Sequence, residues 1–388
     1  MPSANMASMS TGSAMAPFLR KHLLWAIILL AAQAAVALQA NSSSDVAIRG
    51  SATRPQLFFA CCYQGLNELG SLFSDPAIIP ELKDLGAGIA FAVPDFTAER
   101  ARVVRQLNDA GIPLIAWLGL SKEDGYYLNA GNAPLAARQF AEFERWTLDY
   151  KLRWEGVGLD IEPNFNEFQA MNGHKWRLAW TLLRRSLDGG RVARARKEYS
   201  RLIGDIHARG YSVQTYQLPL IVTERKIRTT LSERILGIVD VRGDVEVLML
   251  YTSFTPALDS ALIWRVGPGA QGIAVGSTAA DPVVAPLNWE QFSRDLIVAS
   301  HFTHLVGVYN LEGCVHQGFL PRLNALDWNQ SVTIPGPTIK NASRVAMVFE
   351  TALWVASHLV YFAVAILFAI GYLIGRRYRR KGRPGGGE

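Results

Sequence analysis

Between Arg54 and Asn329, short and nearly continuous apolar runs alternate with longer segments whose apolar positions recur every three to four residues. The short runs are Gln56–Cys62, Gly88–Val93, Pro113–Leu118, Gly156–Ile161, Ser212–Leu218, Glu246–Tyr251, Gly272–Gly276 and His304–Tyr309. A strand covered on both faces, as in a parallel sheet, has no polar face to alternate with and reads as such a run. Thr97–Ala110 places Ala101, Val104, Leu107 and Ala110 on one helical face and is followed by Gly111, a residue suited to ending a helix. Ala136–Leu152, Trp176–Leu187, Arg191–Arg209, Thr230–Ile238, Asn288–Ser300 and Gln317–Asp327 have the same character. Eight strand–helix alternations over about 270 residues predict an α/β chain with a (β/α)8 TIM barrel spanning 55–330. A doubly wound open sheet would give the same local pattern.

Two longer apolar runs lie outside this region. Leu23–Leu38 is interrupted only by Gln33, follows Arg20, Lys21 and His22, and precedes small residues. It reads as a secretory signal or an uncleaved signal anchor within 1–40. Thr351–Ile374 is 24 residues with His358 as its only ionisable group, longer than the ~20 residues that cross a bilayer core. Segment 344–375 is therefore expected to be one C-terminal transmembrane helix, with 41–54 and 331–343 as linkers and 376–388 as a basic cytoplasmic tail. The excess of Lys and Arg beside both runs places the barrel outside the cytoplasm and the chain in the cell membrane as a single-pass protein.

Composition changes the picture in one respect. The 388 residues are 49% hydrophobic and 19% charged, which excludes a disordered chain, and carry a net charge of +6. That charge invites a nucleic-acid partner until it is located. Residues 376–388 hold six basic residues against one acidic, and Arg20 with Lys21 add two more. The barrel itself is close to neutral, offers no basic face for phosphates, and is expected to bind no nucleic acid.

In a TIM barrel the functional groups gather at the C-terminal ends of the strands. Polar and aromatic residues there include Tyr63, Trp117, Asp160, Glu162, Gln214, Tyr216, Gln217, Tyr251, Tyr309, Asn310 and Glu312. In "EGVGLDIEPN", Glu155 to Asn164, the two-residue period puts Gly158, Asp160 and Glu162 on one face and Val157, Leu159 and Ile161 on the other. Carboxylates two residues apart on a strand lie roughly 6 to 7 Å apart. Each shifts the other's pKa, so one member can hold a proton while its partner stays ionised.

This segment resembles the fourth-strand motif D-G-x-D-x-D-x-E of family 18 glycoside hydrolases, the chitinases and endo-N-acetylglucosaminidases. Asp160 and Glu162 match its last two acids, while Glu155 and Gly158 stand where the family has Asp. Met249-Leu250-Tyr251-Thr252 is similar to the family's sixth-strand M-x-Y-D, and "GIAFAV" from Gly88 is similar to its second strand. The resemblance implies substrate-assisted hydrolysis of N-acetylhexosamine-containing glycans without metal or cofactor. Glu162 would protonate the leaving oxygen, Asp160 would orient the substrate's 2-acetamido group, and Tyr251 would hold the acetamido oxygen. Trp117, Tyr216, Gln214, Gln217, Tyr309, Tyr63, Asn310 and Glu312 would bind substrate, and Phe165 is a further aromatic at the mouth.

Departures accompany the match. The third-strand S-x-G-G pattern is absent from "PLIAWLGLS", Leu311 stands where the family has its eighth-strand Trp, and Thr252 replaces Asp. A non-catalytic glycan-binding barrel and a glycosidase of another barrel family, muramidase-like, remain alternatives. The three cysteines fit no metal spacing. Because barrel closure sets the first and eighth strands side by side, Cys314 is expected to bond Cys61 or Cys62.

Overall fold

A computed structural model describes residues 44–63, 66–121, 123–164, 175–279 and 284–381. The leader at 1–40, Phe165 and the end of the basic tail, 382–388, lie outside the described residues. The described residues form ten strands. β1 (Val46–Arg49) and β10 (Ser331–Ile334) form an antiparallel ribbon. The other eight are β2 (Gln56–Cys61), β3 (Gly88–Val93), β4 (Leu114–Leu118), β5 (Gly156–Asp160), β6 (Ser212–Gln217), β7 (Val245–Met249), β8 (Gly272–Gly276) and β9 (Leu305–Tyr309). They pair in chain order as a closed parallel barrel, β9 returning to β2. The open sheet is thereby excluded.

Period two explains how these near-uniform runs build two layers. Leu57, Phe59, Ile89, Phe91, Leu114, Ala116, Val157 and Leu159 are buried among the surrounding helices. The alternate positions Phe58, Ala90, Ala92, Ile115, Trp117, Val247 and Ala274 are equally buried yet stand apart from that cluster, in the barrel interior. Burying a Leu, Ile, Val or Phe side chain stabilises by about 1.5–3 kcal/mol, so the outer layer holds most of the fold's hydrophobic stabilisation.

The helices follow from caps as much as from periodicity. Ala98–Asp109 begins where the Thr97 side chain accepts the Arg100 amide, and buries Ala101, Val104 and Leu107 as expected. Trp289–Phe302 opens on a capping box formed by Asn288 and Gln291. Within the expected helix Gln317–Asp327 only Leu320–Asn324 is helical; a further short helix, Leu311–His316, precedes it, and Gly318 in the left-handed region separates the two.

The segments expected as linkers each contribute a strand. Val46 pairs with Ile334 and Arg49 with Ser331, and the ribbon packs along helix Trp289–Phe302. From Gly336 a single helix runs to Lys381, about 70 Å at 1.5 Å per residue. Its first part crosses helices Ala261–Val266, Leu220–Ile227 and Leu231–Leu236. Glu350 meets Lys226 at 2.7 Å and Arg265 at 3.8 Å there. No helix among the described residues is long and apolar enough to cross a membrane. Residues 359–371, the middle of the apolar run, fall outside those whose side chains are described.

Candidate functional site

β5 sets the geometry. Gly156, Gly158 and Asp160 face the barrel interior, Val157 and Leu159 face the helices, and the chain continues extended through Glu162. That continuation is held by the loop residues 124–132. The Leu128 amide donates to the Asp160 carbonyl at 3.2 Å, and the Glu162 amide donates to the Leu128 carbonyl at 3.0 Å. Leu128 thus pairs with Ile161 as one extra rung beyond the barrel and fixes the backbone of Glu162.

Asparagines hold the loop. Asn129 Nδ2 and Asn132 Nδ2 both donate to the Tyr127 carbonyl, and Asn132 Oδ1 accepts the Asn129 amide. The Tyr199 hydroxyl donates to the Asn129 carbonyl from the neighbouring helix. These bonds bring Tyr126 and Tyr127 to the mouth. Sequence reasoning missed both, since an aperiodic loop gives no signal for where its rings point.

Asp160 is 4% exposed. Burial pushes its carboxyl well above the usual carboxylate range, the Glu162 charge pushes it further, and the Trp117 indole N–H, donating to it, opposes both. Its Oδ1 has no hydrogen-bond partner among the described residues. A buried polar oxygen in that condition costs about 1–3 kcal/mol, a cost that a donor on a bound molecule would remove.

Around this carboxyl stand half-buried aromatic rings. Tyr63 meets Trp117 edge-on at 5.3 Å and Tyr126 at 4.2 Å between centroids. Trp117 meets Tyr216 at 6.4 Å, and Tyr251 stacks on Tyr309 at 5.3 Å. Gly119 admits the Tyr63 ring, since a Cβ there would fall 2.5 Å from its hydroxyl. Burial first, and then the Asp160 charge among others, raises the phenols of Tyr63, Tyr126, Tyr216 and Tyr251 above their ordinary range. All four therefore remain protonated hydrogen-bond donors at physiological pH.

Gly158 receives a physical explanation here. A Cβ at this position would lie 2.8 Å from Tyr216 Cε2 and 3.2 Å from its hydroxyl. The Tyr216 ring fills the space that a side chain at 158 would need. Its hydroxyl donates to Gln214 Oε1 at 3.3 Å, so both β6 residues face the interior as expected.

No family model matches the chain, and no curated protein matches it. Solved structures do. The PgaB (BpsB) glycoside hydrolase domain from Bordetella bronchiseptica is 11% identical, with 70% of this chain and 98% of that one covered and a TM-score of 0.43. A GH18 chitinase from Pseudoalteromonas aurantia is 10% identical, covering 70% and 99%, with a TM-score of 0.41. The E. coli 3-keto-D-glucoside 4-epimerase is 11% identical, covering 70% and 100%, with a TM-score of 0.39.

Other expected binding residues are placed differently. Gln217 is fully buried on the outer face of β6, where its side-chain Nε2 donates to the Val241 carbonyl at 3.0 Å. Two-residue alternation sends it away from the mouth that Tyr216 faces. Asn310 caps helix Leu311–His316 by accepting the Gly313 amide. Glu312 accepts the Cys62 amide at 2.7 Å. Glu312 thus ties the start of this helix to the end of β2, while the Asn310 backbone is bonded to Thr278 Oγ1 after β8.

The expected disulfide is also corrected. Cys61 and Cys62 pair with each other, and Cys314 is a buried thiol that donates to Thr278 Oγ1 at 3.6 Å. Burial pushes the Cys314 thiol up to about 12, so it stays protonated and unreactive. Arg100, 1% exposed, donates to the Cys62 and Ala92 carbonyls and forms a two-pronged pair with Asp95. Burial opposes ionisation of Asp95, yet the Arg100 hydrogen bonds and charge hold its carboxyl below the usual range. Asp95, a strand-end acid, thus works as Arg100's counter-ion.

Proposed function

We propose that this chain is a glycoside hydrolase that cleaves N-acetylhexosamine-containing glycans by substrate assistance, from a barrel tethered outside the cytoplasm by its C-terminal helix. The observation that carries the reading is the Asp160–Glu162 pair on one interior face, with the buried Asp160 carboxyl inside a ring of half-buried aromatic side chains. Sugar rings present apolar faces that stack on aromatics and polar edges that seek fixed donors and acceptors. The mouth supplies both.

In this reading Glu162 donates its proton to the glycosidic oxygen as the C1–O bond breaks. The substrate's acetamido oxygen attacks C1 to give a cyclic oxazolinium, and the alcohol leaves with the proton. Water then opens the ring at C1, Glu162 recovering a proton from it. Asp160 accepts the acetamido N–H through the oxygen that has no partner among the described residues, and Tyr251 donates to the acetamido oxygen. Burial and the Glu162 charge both raise the Asp160 carboxyl, so the two acids sit close enough to influence one another's protonation.

A glycan-binding barrel without turnover is favoured by one observation: the Tyr216 ring occupies the place of the acid that the family carries at 158. Glu162→Gln separates the two. Loss of cleavage of a chitooligosaccharide with binding retained supports hydrolysis, and equal turnover by variant and wild type refutes it. An oligosaccharide lacking the 2-acetamido group distinguishes substrate assistance from a muramidase-like mechanism. Similar rates on both would exclude the former.

The tether rests on Thr351–Ile374 and the Arg/Lys cluster after it. Protease protection of an epitope at Glu388 in sealed vesicles tests the cytoplasmic C-terminus.

A further inference from the structure

Helix Lys175–Leu187 lies on the flank of the barrel and carries an unusual outer face. Trp180, Leu183 and Leu187 are 68%, 53% and 69% exposed. Spacings of three and seven residues place them on one stripe of the helix. Scattered single apolar residues on a surface need no explanation, but a stripe of a tryptophan and two leucines on one helix does. The helix sequence, KWRLAWTLLRRSL, also carries four basic residues and no acidic one. Arg184, beside the stripe, is exposed.

The helix is fixed to the fold by its inner side. Arg185 donates to the Ile235 carbonyl, and the Ser186 carbonyl accepts from Arg234. Both partners belong to helix Leu231–Leu236, which packs in turn against helix Gly336–Lys381. One short helix therefore connects the amphipathic face to the segment that leaves the barrel.

We propose that the outer face of Lys175–Leu187 docks onto a lipid surface bearing anionic headgroups. Trp180, Leu183 and Leu187 enter the boundary between headgroups and acyl chains, while exposed Arg184 beside them meets the phosphates. This goes beyond the hydrolase reading and rests on the tether only for which surface lies nearby. An apolar stripe with Trp, on a helix whose sequence is basic and holds no acid and with exposed Arg184 beside the stripe, is the composition of an in-plane interfacial helix. The charge selects an anionic bilayer over a second protein copy, whose matching face would be equally basic and would repel. Contact through Leu231–Leu236 links the helix that carries the stripe to the helix that leaves the barrel.

The test uses the full chain reconstituted into phosphatidylcholine vesicles with and without about a quarter phosphatidylglycerol. Spin labels are placed singly at Leu183→Cys, Leu187→Cys and, as a control, Leu148→Cys, an exposed leucine on another helix. Labels at 183 and 187 are expected to be shielded from a water-soluble paramagnetic relaxer and open to oxygen when phosphatidylglycerol is present, with 148 remaining in water. High salt, or the exposed-face change Trp180→Asp, is expected to reduce that shielding at least about tenfold. Flotation of the same samples reads the tether separately. A chain that floats in pure phosphatidylcholine while 183 and 187 stay as water-exposed as 148 in both lipids overturns the docking and leaves the tether standing. A chain that floats only with phosphatidylglycerol, and loses flotation with Trp180→Asp, sustains the docking and refutes the tether.

Discussion

Replacing Gly158 by alanine probes the interior of the site directly. The added Cβ would fall 2.8 Å from Tyr216 Cε2, 3.2 Å from its hydroxyl and 3.4 Å from Ile115 Cγ2. The ring cannot simply swing aside, because its hydroxyl is bonded to Gln214 and its edge meets Trp117. Forcing one carbon into a packed interior costs about 1–3 kcal/mol, which corresponds to a fall of roughly 2–10 °C in Tm for a domain of this size. The cost belongs to the pair, so it should be largely absent when Tyr216 is alanine. A double-mutant cycle by thermal unfolding, monitored by near-UV circular dichroism, should give a coupling of about 1–3 kcal/mol. The same displacement should move Tyr216 away from Trp117 and lower glycan affinity. An unchanged Tm for Gly158→Ala, or an equal loss in the Tyr216→Ala background, would show that Tyr216 does not fill this space.

Three further outcomes are expected. Glu162→Gln should lower hydrolysis by about 10²–10⁴-fold with Tm little changed, the range for removing a general acid; parallel loss of Tm and activity would assign Glu162 to folding instead. Asp295, fully buried with a hydroxyl donated by Thr252, is pushed up to about 7, first by burial. Its folded-state pKa lies above its unfolded value, so the proton-bound form contributes stability at low pH that is lost as pH rises from about 4 to 7, on the order of 3–4 kcal/mol. Asp295→Asn should therefore match wild type near pH 4, exceed it in stability near pH 8, and flatten the curve between; an unchanged pH slope would remove Asp295 as the cause. Alkylation of the unfolded chain without reductant should label Cys314 alone, with Cys61 and Cys62 labelled only after reduction; two or more labels before reduction would contradict their pairing.

The barrel was legible because parallel strands covered on both faces leave uniform apolar runs, and the helices between them leave an unmistakable period. The orientation of Asp160 and Glu162 was legible from the two-residue alternation of one short motif. Gln217 shows where that rule was not carried through, since counting from Tyr216 already turns it outward. The β1–β10 ribbon was not legible because its four-residue strands are half-polar and pair across nearly the whole chain. Tyr126 and Tyr127 were hidden for another reason: their placement depends on asparagine bonds to backbone within an aperiodic loop. The cysteine pairing also escaped, since adjacency of β2 and β9 permits Cys314 to approach without obliging it to bond.

The unbroken helix from Gly336 to Lys381 has a mechanical consequence. A barrel on a flexible string would search a volume and meet its polymer at any angle. This barrel grips the first turns of its own stalk through Lys226, Arg265 and Glu350, so stalk and mouth turn together. Seated in a bilayer, the mouth would sweep a thin shell at constant height, and a long glycan would be engaged only where it passes through that shell. Because the grip at Glu350 lies next to Thr351, the height of the barrel itself, and not the reach of a linker, would then set which layer of a cell envelope is within range.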